Sequence, residues 1–438
     1  MGHDGRLDEI GTLDGRPPEV NCARAMTECE RDQRPPGGVP EGGMVHGFVD
    51  KGFEDVASAF RRNFAEGLEL GAAFAVVVDG EPVVDLWGGW ADPNNDSPWE
   101  ADTVCCVFSG TKGLVATCLA ILIDRGLLDL DAPVAHYWPE FAANGKGDVL
   151  VRHVVSHQAG LPGLTIPVSV EEATDHVLMA EMLAAQRPIA PAGHQVCYHA
   201  LTFGWLCGEL VRRIDGRSVG RFFHDEVASP LGLDLWIGLP ESEEPRVAVL
   251  ERGPEFRVAS APSSTGIDEA IAWSIWENPP RFSGAELAAN RRDWRAAEIP
   301  ATNGVGTARS IARLYGCLSS GGRLGSVNLL SSAAILKARE CLASGYDPFQ
   351  ALPVAFGIGF ELQNERMILG PESDAFGHGG AGGSVHGAWP SRHTGFSYVT
   401  NRLGPSTTPD ARAARLLNAL YVSILAIGGA GRPNAERR

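Results

Sequence analysis

One apolar segment in the first third of the chain constrains the fold more than any other feature. Residues 113–123 read Gly-Leu-Val-Ala-Thr-Cys-Leu-Ala-Ile-Leu-Ile, without a proline or a charged side chain. Because this segment is apolar on nearly all faces, it predicts a buried helix rather than a surface helix. The chain has 438 residues, of which 44% are apolar, so it can build a core large enough to enclose that helix.

A serine and a lysine stand at the entrance to this predicted helix. Ser109 and Lys112 are three residues apart, a spacing that places two side chains on one face of a helix. Burial would lower the pKa of the Lys112 ammonium and let the amine act as a base, while the helix N-terminus would present positive potential to Ser109. These are the requirements of an activated serine nucleophile. The short pattern also fits a helix-capping serine with a lysine that reaches solvent.

Segments typical of β-strands occur near both ends of the chain. Residues 72–78 and 82–90 flank Asp79-Gly80, which predicts a β-hairpin. Residues 384–389 and 395–401 predict two further strands. We therefore predict an α+β fold in which one antiparallel sheet is assembled from the two ends of the chain.

Helices are expected at both ends of this sheet, over residues 49–64 and from about 410 to 427. The region between the strands is mostly helical and predicts an inserted all-α lobe. Residues 1–43 are polar and rich in Pro and Gly, and a disordered extension is expected there. The predicted division is an extension at 1–43, an α/β domain from 44–150 and 300–438, and a helical domain at 151–299.

Two further segments are candidates for a serine-hydrolase site. Tyr198 lies between a Pro/Gly loop and an amphipathic helix, and a tyrosinate stabilised by Lys112 would be a base for Ser109. Residues 376–384 contain five glycines immediately before a predicted strand, where an edge strand could donate a backbone N–H to an oxyanion. A packing role for the tyrosine and a flexible loop for the glycines are the alternatives.

Several patterns suggest chemistry but have simpler explanations. Ser218 lies in Gly-Arg-Ser-Val-Gly, yet the preceding segment is helical rather than a strand, so Ser218 is predicted to be a helix N-cap. His153 and His157 have the spacing of a zinc-binding helix, but no adjacent glutamate, and a helix C-terminus that favours protonated imidazole is expected instead. Three tryptophans are candidates for an acyl pocket, although core packing is expected for them: Trp273, Trp276 and Trp294.

Composition excludes several classes of partner. The formal net charge is −17 and basic residues form no cluster, so neither nucleic acid nor an anionic membrane is expected as a partner. The nine cysteines include no Cys-x-x-Cys pair, which predicts neither zinc nor a disulfide framework and favours a reduced, cytoplasmic setting. No secretion signal is visible, and no segment is expected to be long and apolar enough to span a membrane. We expect no metal and no cofactor.

The ordered set of motifs resembles the serine β-lactamase and penicillin-binding-protein-like superfamily. Within it, the class C-like carboxylesterases, often called family VIII esterases, are the most similar branch. The resemblance covers about 44–405 and is carried by the following segments, in order: Ser109–Lys112, Gly126–Pro133, Val155–Leu161, Tyr198, Pro230–Asp234 and His378–Gly380.

This resemblance implies a mixed α/β domain and an all-α domain with the active site between them. It implies that Ser109 is the nucleophile and that Lys112 and Tyr198 together take its proton and later deliver it to the leaving group. The segment His378-Gly379-Gly380 stands where β-lactamases carry Lys-Thr-Gly. The backbone N–H groups of Ser109 and Ala381 would form the oxyanion hole.

Two departures from the β-lactamase pattern narrow the expected activity. Ala200 stands where β-lactamases carry an asparagine, and His378 replaces a lysine that would bind the carboxylate of a β-lactam. We therefore expect a serine hydrolase that cleaves small carboxylic esters. An acyltransferase or transesterase of secondary metabolism, in which an amine or alcohol takes the acyl group, is the alternative. A β-lactamase and an inactive binding domain are further alternatives.

Overall fold

The apolar segment after Lys112 forms the buried helix that its sequence predicts. In the computed structural model, which describes residues 45–257, 269–405 and 410–429, a helix spans Thr111–Asp124. Every residue of this helix from Thr111 to Leu122 is buried. The predicted disordered extension at 1–43 lies outside the described residues.

The described residues contain seventeen β-strands, most of which are short. In chain order they are β1 (His46–Val49), β2 (Gly71–Val78), β3 (Glu81–Asp92), β4 (Ser97–Pro98), β5 (Cys105–Cys106), β6 (Leu235–Ile237), β7 (Glu251–Arg252), β8 (Gly304–Gly306), β9 (Arg323–Leu324), β10 (Val327–Asn328), β11 (Ala343–Asp347), β12 (Leu352–Phe356), β13 (Glu361–Leu362), β14 (Phe376–Gly379), β15 (Val385–Trp389), β16 (Thr394–Thr400) and β17 (Arg402–Leu403).

A ten-stranded antiparallel sheet joins the two ends of the described chain. Its order is β1-β3-β2-β16-β15-β14-β13-β12-β11, with β4 paired to β3. The pair that joins the two ends of the chain is β2 with β16, in which Phe74 lies opposite Tyr398. The β2–β3 hairpin turns at Asp79 (φ 52°) and Gly80 (φ 87°), two left-handed residues as a two-residue hairpin of this kind requires. The predicted α+β class and the two-ended sheet are confirmed.

Thirteen α-helices are assigned within the described residues. They are α1 (Glu54–Ala65), α2 (Thr111–Asp124), α3 (Val134–Tyr137), α4 (Val151–Val155), α5 (His176–Ala185), α6 (Thr202–Asp215), α7 (Val219–Phe223), α8 (Ser229–Leu231), α9 (Glu269–Trp276), α10 (Arg292–Ala296), α11 (Ala308–Ser319), α12 (Ser332–Ala338) and α13 (Ala411–Gly429).

Both faces of the sheet are covered, which explains why β2 is apolar at all eight positions. Phe74 and Val76 point into a core shared with α1 and α13, whereas Ala75 and Val77 point into the core that contains α2 and α11. Alternate residues of a strand face opposite sides, so a strand between two helical layers has no polar side. Helices α4 to α10 come from the middle of the chain, and the division into domains at 151–299 stays a prediction.

The last helix corrects one expectation from the sequence. The window Ala411–Gly428 has a mean hydropathy of 1.2, so by length and composition it could cross a membrane. The expectation that no segment is long and apolar enough is therefore wrong. One third of this window is buried in the protein, and Leu416, Leu417 and Leu420 pack into the core beneath the sheet.

Candidate active site

Ser109 lies in the turn that leads into α2. The residue before it, Phe108, has a φ of 45°, a left-handed conformation that bulky side chains rarely adopt. Gly110 is the N-cap of α2, so the helix begins two residues after Ser109 and the Ser109 side chain does not cap it. A side chain at position 110 would clash with the ring of His386. The alternative of a helix-capping serine is therefore wrong, and the Ser109 hydroxyl bonds to other side chains.

Lys112 is completely buried behind this serine. Its Nζ lies 3.3 Å from Ser109 Oγ and donates hydrogen bonds to the carbonyl oxygens of Ala200 at 2.8 Å and Ala301 at 3.0 Å. Burial, and after it the charge of Arg281, holds the pKa of Lys112 well below its usual value. The predicted proximity of the serine and the lysine is confirmed, and so is the predicted direction of the pKa shift.

Tyr198 completes a cluster of three side chains around one oxygen. Its hydroxyl donates a hydrogen bond to Ser109 Oγ at 2.8 Å, and Lys112 Nζ lies 4.7 Å from the centroid of its ring. Burial raises the pKa of the Tyr198 phenol, which the hydrogen bond to Ser109 lowers only in part. The phenol is therefore protonated at neutral pH. This differs from the tyrosinate considered from the sequence, because desolvation disfavours the anion.

The glycine-rich segment lies against the serine turn. His378, Gly379 and Gly380 follow each other at the end of β14, and a side chain at position 380 would clash with the carbonyl oxygen of Val107. The predicted strand after the glycines is β15, which pairs with both β14 and β16, so the expected edge strand is wrong. However, β13 pairs only with Phe376 and Gly377, so the end of β14 has one open side.

The backbone of this segment provides an N–H donor. The amide of Gly380 donates to the carbonyl oxygen of Ser384 at 2.8 Å. For the amide of Ala381, by contrast, no acceptor exists among the residues that the structure describes. Ala381 and Ser109 line the same cavity, so this N–H is available to an oxygen of a bound molecule.

The imidazole of His378 does not replace the lysine of the β-lactamase motif. Burial, and after it the charge of Lys112, lowers the pKa of His378 to about 3, so the ring is neutral at physiological pH. One ring nitrogen, Nδ1, lies 2.6 Å from the carbonyl oxygen of Gly379. The other, Nε2, is buried and has no hydrogen-bond partner in the described part of the chain.

These groups face one cavity of about 170 Å³. Ser109, Tyr198, His378, Gly379, Gly380 and Ala381 all line it, while Lys112 lies behind the serine. The remaining wall is largely apolar, with a smaller number of charged groups. The apolar side chains include Phe256, Trp276, Phe282, Leu352, Val354, Phe356, Met367, Ile368, Val385 and Ala413, and the charged groups are Arg257, Arg281, Glu361, Arg366 and Asp410.

The structure separates the three candidate tryptophans. Trp276 lines the cavity, and its ring lies 6.3 Å from that of Tyr198. Trp294 is 2% exposed and belongs to the core, while Trp273 is 38% exposed. The expectation of core packing is therefore correct for Trp294 and wrong for Trp273, while Trp276 both packs against a buried cluster and lines the cavity.

The second serine motif has no catalytic surroundings. Ser218 is the N-cap of α7, where its Oγ accepts a hydrogen bond from the Arg221 N–H, as predicted. The Ser218 hydroxyl also donates to Glu298 Oε1 at 2.6 Å. Ser218 does not line the cavity that contains Ser109.

The histidine pair is not a helical pair. Helix α4 ends at Val155, and His157 follows it in a left-handed conformation with a φ of 64°. Burial holds the pKa of His157 well below its usual value, so the expected protonated imidazole at a helix C-terminus is wrong for this residue. Its ring packs 5.0 Å from that of Tyr198, and its Nδ1 accepts the N–H of His199. His157 thus supports the loop that carries Tyr198.

Sequence reasoning missed several residues of the site. Asp347 Oδ2 accepts the backbone N–H of Tyr198 at 2.6 Å, and Phe356 packs against the Tyr198 ring. Asp347 lies in a Gly-Tyr-Asp-Pro turn, which gave no signal of its contact with a residue 149 positions earlier. Arg281 follows two prolines and has the local sequence of an exposed loop. In the described part of the chain, no group of three or more His, Cys, Asp or Glu residues could hold a metal ion.

Comparison with known proteins agrees with this geometry. The sequence matches the family described as Beta-lactamase over residues 60–420. The esterase/β-lactamase LipL of Mycobacterium tuberculosis (strain ATCC 25618 / H37Rv) is 40% identical over 374 residues, which cover 84% of this chain and 85% of LipL. Two crystal structures, of a family VIII carboxylesterase and of a novel penicillin-binding protein homologue from Caulobacter crescentus, each share 38% identity with a TM-score of 0.80. Each match covers 87% of this chain and 100% of the other.

Proposed function

This chain belongs to the β-lactamase family and is a serine hydrolase, and we propose that it cleaves small carboxylic esters through an acyl-enzyme at Ser109. One observation carries the proposal. Lys112 Nζ and the Tyr198 hydroxyl both lie within 3.3 Å of Ser109 Oγ, and that oxygen faces a largely apolar cavity.

The neighbours of Lys112 Nζ are compatible with a neutral amine as the base, because the hydroxyl of Ser109 can either accept or donate a hydrogen bond. A neutral amine has two N–H groups and one lone pair, whereas an ammonium has three N–H groups. Two carbonyl oxygens, of Ala200 and Ala301, accept from Nζ, and its third neighbour is the Ser109 hydroxyl. The Ser109 hydroxyl can therefore donate to the Lys112 lone pair while it accepts from Tyr198. The lowered pKa of Lys112 favours the same state.

Acylation follows from this hydrogen-bond network. Ser109 Oγ forms a bond to the ester carbonyl carbon, and its proton moves to Lys112 Nζ. The carbonyl oxygen becomes an oxyanion, which accepts hydrogen bonds from the N–H groups of Ser109 and Ala381. When the bond to the leaving oxygen breaks, the Tyr198 hydroxyl gives that oxygen its proton. The acyl-enzyme then contains a Lys112 ammonium beside a Tyr198 phenolate, which attract each other in this buried setting.

Hydrolysis returns every proton to its starting position. The Tyr198 phenolate takes a proton from water, and the resulting hydroxide attacks the acyl carbon. Ser109 Oγ leaves and receives its proton from the Lys112 ammonium. The products are a carboxylic acid and an alcohol, and the enzyme is restored.

Position 200 and the third motif depart from the β-lactamase pattern and favour an ester over a β-lactam as substrate. Position 200 is an alanine, so no side-chain amide stands beside Tyr198, and the neutral His378 gives the third motif no cation. The apolar wall formed by Trp276, Phe282 and Phe356 fits an alkyl or aryl group. Water is proposed as the acceptor of the acyl group, in line with the esterase and carboxylesterase names of the similar proteins.

Intact-protein mass spectrometry tests the nucleophile. A fluorophosphonate should add one label to the wild type and to the matched control Ser218→Ala, and none to Ser109→Ala. An unlabelled wild type, or a label that persists in Ser109→Ala, would contradict the proposal.

The reaction itself is tested with short-chain p-nitrophenyl esters, with and without amine or alcohol acceptors, and with β-lactams. We expect turnover of the neutral esters in buffer alone and much slower turnover of β-lactams. Product formation only in the presence of an acceptor would identify an acyltransferase instead.

A further inference from the structure

We propose that Arg281 is a carboxylate-binding residue of the cavity, and that the preferred esters carry a carboxylate group close to the scissile bond. The proposal rests on the esterase function above and specifies its substrate class. It concerns specificity rather than the chemical step.

Arg281 is held rigidly in the cavity wall. Arg281 is only 7% exposed, and it lines the cavity together with Ser109 and Tyr198. Its backbone N–H donates to Pro279 and its carbonyl oxygen accepts from Ala288, so both backbone groups are fixed. The guanidinium lies 5.0 Å from the centroid of the Phe282 ring.

The guanidinium uses little of its hydrogen-bonding capacity. An arginine side chain has five N–H donors in a planar fork. Arg281 donates one hydrogen bond, from Nη1 to the carbonyl oxygen of Trp276 at 3.2 Å, and forms no ion pair with any carboxylate in the described part of the chain. A buried cation without a counter-ion is costly, so most proteins pair it.

The carboxylates that line the same cavity already have other partners. Glu361 Oε1 lies 3.4 Å from Arg366 Nη1, and Asp410 Oδ2 lies 2.7 Å from Arg412 Nη2. Neither can balance Arg281 without breaking an existing pair. No described carboxylate forms an ion pair with Arg281, and a carboxylate supplied by a bound molecule would neutralise this charge.

A second buried arginine shows what a structural role looks like in this protein. Arg412 is 4% exposed, and its guanidinium pairs with both Asp410 and Glu69. Arg281 is buried to a similar degree but has no acidic partner among the described residues. The buried Arg412 thus has two carboxylate partners, whereas the similarly buried Arg281 forms no ion pair within the described part of the chain.

Arg281 keeps its charge at physiological pH. Burial lowers its pKa to about 10, a shift that Tyr198 and Glu277 oppose only in part. The planar fork suits a carboxylate, which accepts two parallel N–H bonds. In a chain with a net charge of −17, this cation provides local attraction for an anionic substrate at the site itself.

Matched pairs of esters test this inference on both sides of the scissile bond. On the acyl side, mono-p-nitrophenyl glutarate is compared with p-nitrophenyl valerate. On the alcohol side, 3-acetoxybenzoate is compared with 3-tolyl acetate. For each pair, the ratio of kcat/KM for the carboxylate ester to that for the neutral ester is measured in the wild type, Arg281→Met and Arg281→Lys.

We expect the wild type to favour the carboxylate ester in at least one pair. In that pair, Arg281→Met should reduce the ratio roughly 10- to 100-fold, as expected for the loss of hydrogen bonds to a charged group. Arg281→Lys should recover part of the ratio, since it restores the charge without the fork. A wild type without preference in either pair would overturn the inference, and so would an Arg281→Met variant that loses activity equally on both members.

A ligand-binding measurement covers the case in which the Arg281 variants do not fold. In the wild type, glutarate and 3-hydroxybenzoate should inhibit hydrolysis of p-nitrophenyl valerate more strongly than the corresponding amides. Equal inhibition by acids and amides would overturn the inference. Failure of the esterase proposal is recognised separately, because the wild type would then hydrolyse neither the neutral nor the carboxylate esters.

Discussion

Lys112 and Lys146 are both completely buried, yet their nitrogens have different neighbours. Each side chain is 0% exposed, and burial lowers the pKa of both. Each nitrogen also lies near an aromatic ring, 4.7 Å from the centroid of Tyr198 for Lys112 and 5.3 Å from that of Phe141 for Lys146. Burial and aromatic contact therefore do not distinguish the two sites.

The difference is the number of carbonyl oxygens around each nitrogen. Lys146 Nζ donates to three, those of Ala143 at 2.8 Å, Ala184 at 2.9 Å and Gln186 at 2.5 Å. Three acceptors need the three N–H groups of an ammonium, so Lys146 is a charged tether between two backbone segments. Lys112 has two carbonyl acceptors and a serine hydroxyl in the third direction. A buried lysine can thus act as a base when one neighbour of its Nζ is a group that can donate a proton, such as the Ser109 hydroxyl.

The difference between the two lysines should be largest when each is substituted by methionine and ester hydrolysis is measured. Lys112→Met removes the proposed base, and kcat/KM for p-nitrophenyl esters should fall about 10³- to 10⁴-fold. Lys146→Met is the matched control, and its folded fraction should retain ester hydrolysis. A Lys112→Met enzyme within tenfold of the wild type would show that Lys112 is no more catalytic than Lys146.

The aromatic ring beside Lys112 is a tyrosine, whereas the ring beside Lys146 is Phe141. The substitution Tyr198→Phe removes this difference between the two sites. We expect kcat/KM to fall about 10²- to 10³-fold, because the leaving oxygen no longer receives a proton from Tyr198. The control is Tyr315→Phe, since the Tyr315 hydroxyl is buried without a hydrogen-bond partner among the described residues and lies outside the cavity. Equal kinetics for the two variants would contradict the role of Tyr198.

The pH dependence of kcat/KM should report the lowered pKa of Lys112. Only the neutral amine accepts the Ser109 proton, so activity should be lost as the pH falls through that lowered pKa. Because the shift is downward, this loss should occur at a lower pH than an ordinary lysine would give. Burial raises the pKa of Tyr198, so the alkaline loss of activity should begin above the usual tyrosine range. Activity that rises continuously up to pH 10 would contradict a neutral Lys112.

We expect Lys146→Met to change the rate of ester hydrolysis least and to lower the free energy of unfolding. The substitution leaves three carbonyl oxygens without these donors, one of them in the buried residue Ala184, which should cost about 1–3 kcal/mol of unfolding free energy. Thermal unfolding followed by circular dichroism should show a melting temperature lower by several degrees. An unchanged melting temperature would mean that Lys146 is not a structural tether.

The parts of the site that are close together in the sequence could be predicted from it. Ser109 and Lys112 are neighbours because they are three residues apart at a helix entrance, and the buried helix follows from its uninterrupted apolar composition. Tyr198 was predicted as a member of the site, but its protonation state depends on burial by residues that are distant in the sequence.

The unpredicted parts depend on long-range packing. Strand β14 lies inside the sheet because β11 to β13 extend it, and those segments lack a regular alternation of apolar and polar residues. Trp276 and Arg281 line the cavity because the end of α9 and the segment after it pack there, which no local pattern indicates. The same reason applies to Asp347, which binds the backbone of Tyr198 across 149 residues.

Lysine-selective NMR tests the central claim most directly, because the chain has only four lysines. All four lysines are labelled with ¹³C at Cε. The variants Lys112→Met and Lys146→Met each lack one signal, which assigns the signals of the two buried lysines. The exposed Lys51 and Lys337 serve as internal references. At pH 7.5 we expect the Lys112 signal at the chemical shift of a neutral amine and the Lys146 signal at that of an ammonium. A Lys112 signal that remains at the ammonium shift from pH 6 to pH 9 would contradict a neutral base beside Ser109.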